Sequence, residues 1–180
     1  MRGHGESEGN INTTTTKEFL DDVIAAYDYL VKVEGVDTEN ISVVGSSYGG
    51  YLSSILTSKR KVKNLALRVP ADYANETFNI SKMGNAGENP EVFKWRLIPK
   101  KSNETFALQA LHEFDGNMLI IESEKDDIVP HQIIQNYLDA IKDRNKLVHI
   151  VMKNAPHSIK EGPFKDEVDR ILADWFKKMG

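Results

Sequence analysis

A serine, a carboxylate and an imidazole follow one another along this sequence, each just past a short apolar run. Gly45, Ser47 and Gly49 stand in "VVGSSYGG", Asp126 and Asp127 in "EKDDIVP", and His157 in "NAPHSI". A serine hydroxyl is a weak nucleophile at neutral pH, so it needs a base, and the base needs a carboxylate to orient it. The spacing G-x-S-x-G between a strand and a helix makes a turn sharp enough to present the hydroxyl. Both flanking glycines, Gly45 and Gly49, are expected to be required because side chains there would collide with neighbouring elements. The backbone N–H of Tyr48 then becomes a donor to a developing oxyanion. Ser46 lacks the paired glycine spacing. Spacing alone leaves Asp126 and Asp127 open: one orients the imidazole while the other caps the helix beginning near Pro130. Among the other histidines, His149 falls in a strand, His112 and His131 fall on helices, and His4 has no assigned place. Taken singly, each signal has a plain alternative, a glycine-rich turn or a solvated loop histidine. The ordered set favours the catalytic one.

Groups that far apart in sequence meet only if regular elements bring them together. In "NINTTTTKEFLDDVIAAYDYLVKVEG", Phe19, Leu20, Val23, Ile24, Tyr27, Leu30 and Val31 recur at steps of one, three and four, which is one helical face. Thr15 and Glu18 have capping-box spacing, and Gly35 follows the end. "NISVVG" is apolar and β-branched throughout, the pattern of a strand buried on both faces of a parallel sheet. A helix over 51–58 and a strand in "VKNLALRVP" come next, the strand starting at Val62. The basic run "SKRKVK" between them reads as helix-end cations.

From 71 to 117 the pattern loosens around Gly84, Gly87, Pro90 and Pro99, with a helical stretch in "ETFALQALHEF". This region reads as a cap-like, helix-containing insertion. Tyr73, Phe78, Phe93 and Trp95 within it either roof an acyl pocket or pack against the sheet. "NMLIIES" and "KLVHIVMK" are then strands, and "HQIIQNYLDAIKDR" and "PFKDEVDRILADWFKKMG" amphipathic helices. Alternation of strands and helices argues a three-layer α/β/α domain with a mostly parallel sheet. Each candidate group lies past the carboxyl end of a strand, where open α/β sheets build their sites.

The 180 residues are read as one domain, 1–180. A net charge of -4 gives no general attraction to nucleic acid or anionic lipid. Without cysteine there is no disulfide, thiolate or cysteine-ligated zinc chemistry. No His/Asp/Glu grouping has a helical ligand spacing, and no cofactor is expected. The sequence carries no apolar run of membrane-spanning length and no hydrophobic signal segment, so the expected location is cytoplasmic.

Together "RGHGES", "GSSYGG", "EKDDIVP" and "APHS" resemble the α/β-hydrolase family, in particular small bacterial esterases of the dienelactone-hydrolase and feruloyl-esterase kind. The resemblance spans essentially the whole chain. "GSSYGGY" is also similar to the nucleophile elbow of prolyl-oligopeptidase-type peptidases. By the family pattern D-x-x-V-P, Asp126 is the acid and Asp127 its neighbour. The resemblance implies a serine hydrolase acting on a small carboxylic ester, with Ser47 as nucleophile, His157 as base and Asp126 orienting it. The alternatives are a peptidase and a catalytically feeble half-domain.

In that family an R-G-H-G-x-S segment follows the fourth strand, and the strand order is 1-2-4-3-5-6-7-8. The chain is therefore expected to hold the contiguous block 5-6-7-8, truncated at its N-terminal side. It would lack the loop after the third strand, which supplies the second oxyanion donor; one such donor is worth about 2.7 to 4 kcal/mol. The exposed Ile41 to Val44 strand edge would then invite a second copy of the chain, giving a homo-oligomer.

Overall fold

The computed structural model describes residues 1–81 and 90–179; the breakers Gly84 and Gly87 lie outside them. Helix α1 (Thr16–Leu30) begins at the capping box legible in the sequence. The Glu18 N–H donates to Thr15 Oγ1 at 3.2 Å, and the Glu18 carboxylate accepts the Thr15 N–H at 2.8 Å. Strand β1 (Ser42–Ser46) leads through one residue, Ser47, into α2 (Tyr48–Leu56). Strand β2 is Asn64–Arg68. It starts two residues later than the apolar pattern suggests, although Val62 is still buried. Helix α2 starts at Tyr48 rather than at residue 51, because the turn at Ser47 feeds straight into it. Past its end, the Lys59 and Arg60 N–H groups both donate to the Leu56 carbonyl, and Arg60 forks onto Asp28 of α1.

Helices α3 (Pro90–Arg96) and α4 (Phe106–Glu113) precede β3 (Asn117–Lys125). Helix α5 (His131–Ala140), strand β4 (Leu147–Pro156) and helix α6 (Pro163–Met179) complete the order. The four strands pair in parallel in the order β1-β2-β3-β4. Alternate residues face opposite sides. Leu65, Leu67, Met118 and Ile120 pack with Phe19, Tyr51, Leu52, Leu108, Ile133 and Tyr137 from α1, α2, α4 and α5. On the other face Ala66, Leu119, Ile121 and Met152 pack under Val168 and Trp175 of α6. This is a three-layer α/β/α arrangement with a wholly parallel sheet.

The sheet is open at β1. Ile41 precedes that strand and is buried, whereas Val44 within it is 51% exposed, so the open edge is shifted toward Ser42–Ser46. Strand β4 at the far side is interrupted: its register with β3 shifts between Ser123 and Lys125, and Asn154 sits at φ 59°. Among the described residues no helix is long and apolar enough to cross a membrane.

A buried carboxylate links the two ends of the region after β2. Asp72 accepts the Tyr73 N–H at 2.9 Å and the Thr105 hydroxyl at 3.0 Å. Thr105 is the N-cap of α4, so this bond fixes where that helix starts. Arg96, also buried, donates to the Ile128 carbonyl at 3.0 Å and lies over the Tyr73 ring. Burial pushes the Asp72 carboxyl up to about 7, opposed by its two hydrogen bonds and by Lys100 and Arg96.

That shift sets the sign of a pH dependence. The folded chain keeps the Asp72 proton from the ordinary carboxylate range near 4 up to about 7 while the unfolded chain loses it, so stability falls as pH rises through that window. Asp72→Asn removes the charge and keeps the acceptor for the Tyr73 N–H, while its amide nitrogen donates to Thr105 Oγ1 in place of accepting from it. In urea titrations at several pH values it should flatten the decline and gain up to about 4 kcal/mol at pH 8, at about 1.36 kcal/mol per unit.

Candidate active site

The site is built where β1, β3 and β4 end. Ser47 follows the last residue of β1 and has φ 52°, in the left-handed region, at ψ -117°. Such a backbone costs on the order of 1–3 kcal/mol for a residue with a side chain and persists only when its surroundings hold it. Two backbone bonds do so. The Ser47 N–H donates to the Arg68 carbonyl at 2.9 Å, and the Ser47 carbonyl accepts the Ala71 N–H at 3.0 Å. Between those partners Val69 also has a positive φ, 40°, and its N–H donates to the Ile121 carbonyl at 2.8 Å. Strained residues therefore stand side by side at the tips of β1 and β2.

The glycines around Ser47 have unequal roles. A Cβ on Gly45 would come within 2.6 Å of the Gly49 carbonyl oxygen and of Ser53 Oγ. A Cβ on Gly49 would meet nothing within 4 Å, so the expected steric requirement there is absent. The tight approach belongs to the next residue: a Cβ on Gly50 would lie 3.0 Å from Pro70. The second glycine of the G-x-S-x-G pattern faces open space because α2 has already turned away from β1.

His157 follows the last residue of β4 and is buried, as is the Asp126 carboxylate just past β3. The His157 Nδ1 lies 2.7 and 3.0 Å from the Asp126 oxygens, and its Nε2 lies 3.0 Å from Ser47 Oγ. The acceptor carboxylate fixes the proton on Nδ1, which leaves Nε2 to accept from the serine hydroxyl. Asp126 is itself held in a turn, where its Oδ1 also accepts the Ile128 and Val129 N–H groups at 2.9 and 2.7 Å. Asp127 is exposed, and Pro130 at the start of α5 has no side-chain cap. The expected division between an orienting and a capping aspartate therefore does not occur: Asp126 contacts the imidazole, and among the described residues Asp127 caps no helix.

Tyr48 is the first residue of α2. Its ring packs against Phe19, Tyr51 and Tyr73, its hydroxyl bonds Thr16 Oγ1 at 3.2 Å, and burial pushes the phenol up to about 12. The side chain is a neutral packing element, so any chemistry here belongs to its backbone. Tyr73 stacks edge-on to both Tyr48 and Tyr51, and with Val92 and Trp95 it lines an apolar cavity of about 190 Å³. Phe78 packs edge-on to Phe106.

The remaining histidines lie elsewhere. His4 packs its ring edge on Phe19, and the His112 ring bonds the Ala140 carbonyl. His131 and His149 share the buried Glu122 carboxylate at 2.5 and 2.9 Å. Among the described residues no group of three or more His, Asp and Glu could hold a metal ion. The residues that motif spacing did not reveal are Gly50, Arg68, Val69 and Ala71. A strand of the form "NLALRVP", apolar until an arginine and then a proline, is the signal that was there.

Thermal unfolding tests the two glycines. Gly45→Ala should cost about 1–3 kcal/mol by overpacking. Gly49→Ala, inside α2 with open space around it, should be neutral or stabilising by up to about 1 kcal/mol.

Comparison with known proteins agrees with this geometry at the level of fold. The monoacylglycerol lipase of Paleococcus ferrophilus superposes with a TM-score of 0.66 at 18% identity, over 97% of this chain and 80% of its own. The esterase Est1E of Butyrivibrio proteoclasticus, seen with ferulic acid bound, superposes at 0.68 and 14% identity, over 99% of this chain and 74% of its own. An α/β serine hydrolase homologue from Coxiella burnetii gives 0.58 and 19% identity, over 87% of this chain but only 58% of its own. No curated protein matches the sequence. The family profile that does match is that of the prolyl oligopeptidase family, within the α/β-hydrolase superfamily, over residues 8–180. Extending over nearly the whole sequence, that match means the chain belongs to the prolyl oligopeptidase family of α/β hydrolases.

Proposed function

We propose that the chain is a serine hydrolase that cleaves small carboxylic esters through an acyl-enzyme. The observation that carries this reading is the continuous relay from Ser47 Oγ through the His157 ring to Asp126, with contacts of 3.0 and 2.7 Å. Ser47 attacks the acyl carbon while His157 Nε2 takes its proton. The Tyr48 N–H, at the positive end of α2, stabilises the oxyanion. His157 then returns the proton to the leaving alcohol, and water repeats the sequence to release the acid. Asp126 holds the imidazole in the tautomer that leaves Nε2 free to act as base. No cofactor enters this scheme.

Family membership favours a second reading, a peptidase using the same three residues. Turnover of p-nitrophenyl acetate against an aminoacyl-anilide separates the two, and the ester is expected to be the better substrate. A fluorophosphonate probe should label the wild-type chain and not Ser47→Ala. Asp126→Asn should lower kcat by about 10⁴, because the amide favours the wrong imidazole tautomer. Labelling that persists in Ser47→Ala would exclude the mechanism.

We further propose that two copies pair through the open edge of β1. The support is the contrast between the sheet's two sides: β1 is short, in unbroken register with β2 and free of charged residues, while β4 has a register shift against β3 and carries Lys153. Charges and irregularities on edge strands are the usual guards against pairing. Sedimentation velocity of the 180-residue chain should show a dimer that Val44→Lys converts to monomer. A monomeric wild-type chain would refute the pairing.

A further inference from the structure

Arg68 ends β2 between the strands that carry the serine and the acid, paired in register with Ser46 on one side and Ile121 on the other. Its backbone and its side chain serve different members of the site. The carbonyl accepts the Ser47 N–H at 2.9 Å. The guanidinium donates through Nη2 to the His157 carbonyl at 2.5 Å and to the Pro156 carbonyl at 3.3 Å, with Ser123 Oγ at 3.5 Å. Nη1 donates to Ser46 Oγ at 3.2 Å. One planar group thus joins the tips of β1, β3 and β4.

This is a costly place for an arginine. The guanidinium is half-buried, and its Nε is buried with no hydrogen-bond partner among the described residues. None of their ion pairs includes it. Burial pulls its pKa down, and the charge of Asp126 pulls it back up. A half-buried charge whose hydrogen bonds all go to neutral oxygens adds little to stability and is better explained by what it orients.

The loop it orients needs holding. His157 is the first residue beyond β4, so its ring position depends on how the strand's final carbonyls are pinned. Its Nδ1 and Nε2 contacts, at 2.7 and 3.0 Å, leave little room for drift. Lysine could not replace the fork, since a single ammonium cannot span two adjacent carbonyls and two serine hydroxyls in one plane.

We propose that Arg68 is a positioning residue for the His157 base: it clamps the Pro156 and His157 carbonyls and so fixes the imidazole between Ser47 and Asp126. This rests on the hydrolase reading for its effect on turnover, but not for its effect on the imidazole.

The test compares wild-type, Arg68→Met and Arg68→Lys by proton NMR of the His157 Nδ1–H, by ester kinetics and by thermal unfolding. The Nδ1–H signal, protected in the wild type, should be lost to exchange in Arg68→Met with the unfolding midpoint little changed. In ester kinetics Arg68→Met should lower kcat by about 10²-fold, the cost of a displacement of about 1 Å, with KM little changed. Added guanidinium ion should restore part of the loss. Arg68→Lys, which keeps charge and stem, should show a smaller defect that guanidinium does not relieve, and it answers the question if the methionine variant fails to fold. A wild type without ester turnover whose Nδ1–H signal still depends on Arg68 leaves the clamp standing and sinks the hydrolase reading. An unchanged Nδ1–H signal in a folded Arg68 variant overturns the clamp, whatever the kinetics show.

Discussion

The site depends on two backbone hydrogen bonds that join Ser47 to the end of β2 and to the segment just past it. With its N–H on Arg68 and its carbonyl on Ala71, the serine is held in a conformation it would not choose. A serine on a relaxed strand would point along the alternating faces of the sheet, into packing on one side or the other. The forced φ of 52° lifts it off both faces and directs α2 away beneath it. Everything near the elbow serves that constraint. Gly45 and Gly50 leave room for it, Val69 accepts strain beside it, and the aromatic group of Tyr48, Tyr51 and Tyr73 anchors the start of the helix.

The two halves of the relay are held in different ways. Ser47 is fixed by backbone strain and close packing. His157 and Asp126 are fixed by polar contacts: a carboxylate that accepts two turn N–H groups, and a ring whose carbonyl is held by a guanidinium. Strain is insensitive to salt and pH, whereas hydrogen bonds to charged groups are strong but depend on burial to remain so. Low exposure of the His157 and Asp126 side chains, 10% and 5%, keeps that second set effective.

Much of this was legible in the sequence for a simple reason. Parallel strands leave continuous apolar runs, and "NISVVG" and "NMLIIES" marked β1 and β3; β3 is buried as expected, whereas β1, expected to be buried on both faces, is largely exposed because it lies at the open edge. The amphipathic periodicity from Phe19 onward and the Thr15/Glu18 box gave α1 almost to the residue. Chain order also put Ser47, Asp126 and His157 at the ends of β1, β3 and β4, because a sequentially ordered sheet turns sequence order into spatial order. What stayed hidden was whatever depends on approach distances. Gly49 and Gly50 are neighbours of identical type, and only the position of Pro70 shows which of them must lack a side chain. Asp126 and Asp127 are likewise identical in type, and the turn that accepts Ile128 and Val129 singles out the first. Arg68 looked like a polar stop to an apolar strand, since its four acceptors come from three distant segments of the chain.

Because neighbouring strands in the sheet are also neighbours in the sequence, each βαβ unit can dock on the one made before it, without waiting for a distant segment. On a ribosome these four strands would be added in the order β1 to β4 as the chain emerges. The imidazole comes on the last strand to be added. Until β4 has docked, the strained serine has no imidazole beside it, so the contact between Ser47 Oγ and His157 Nε2 closes only once the outermost strand is in place.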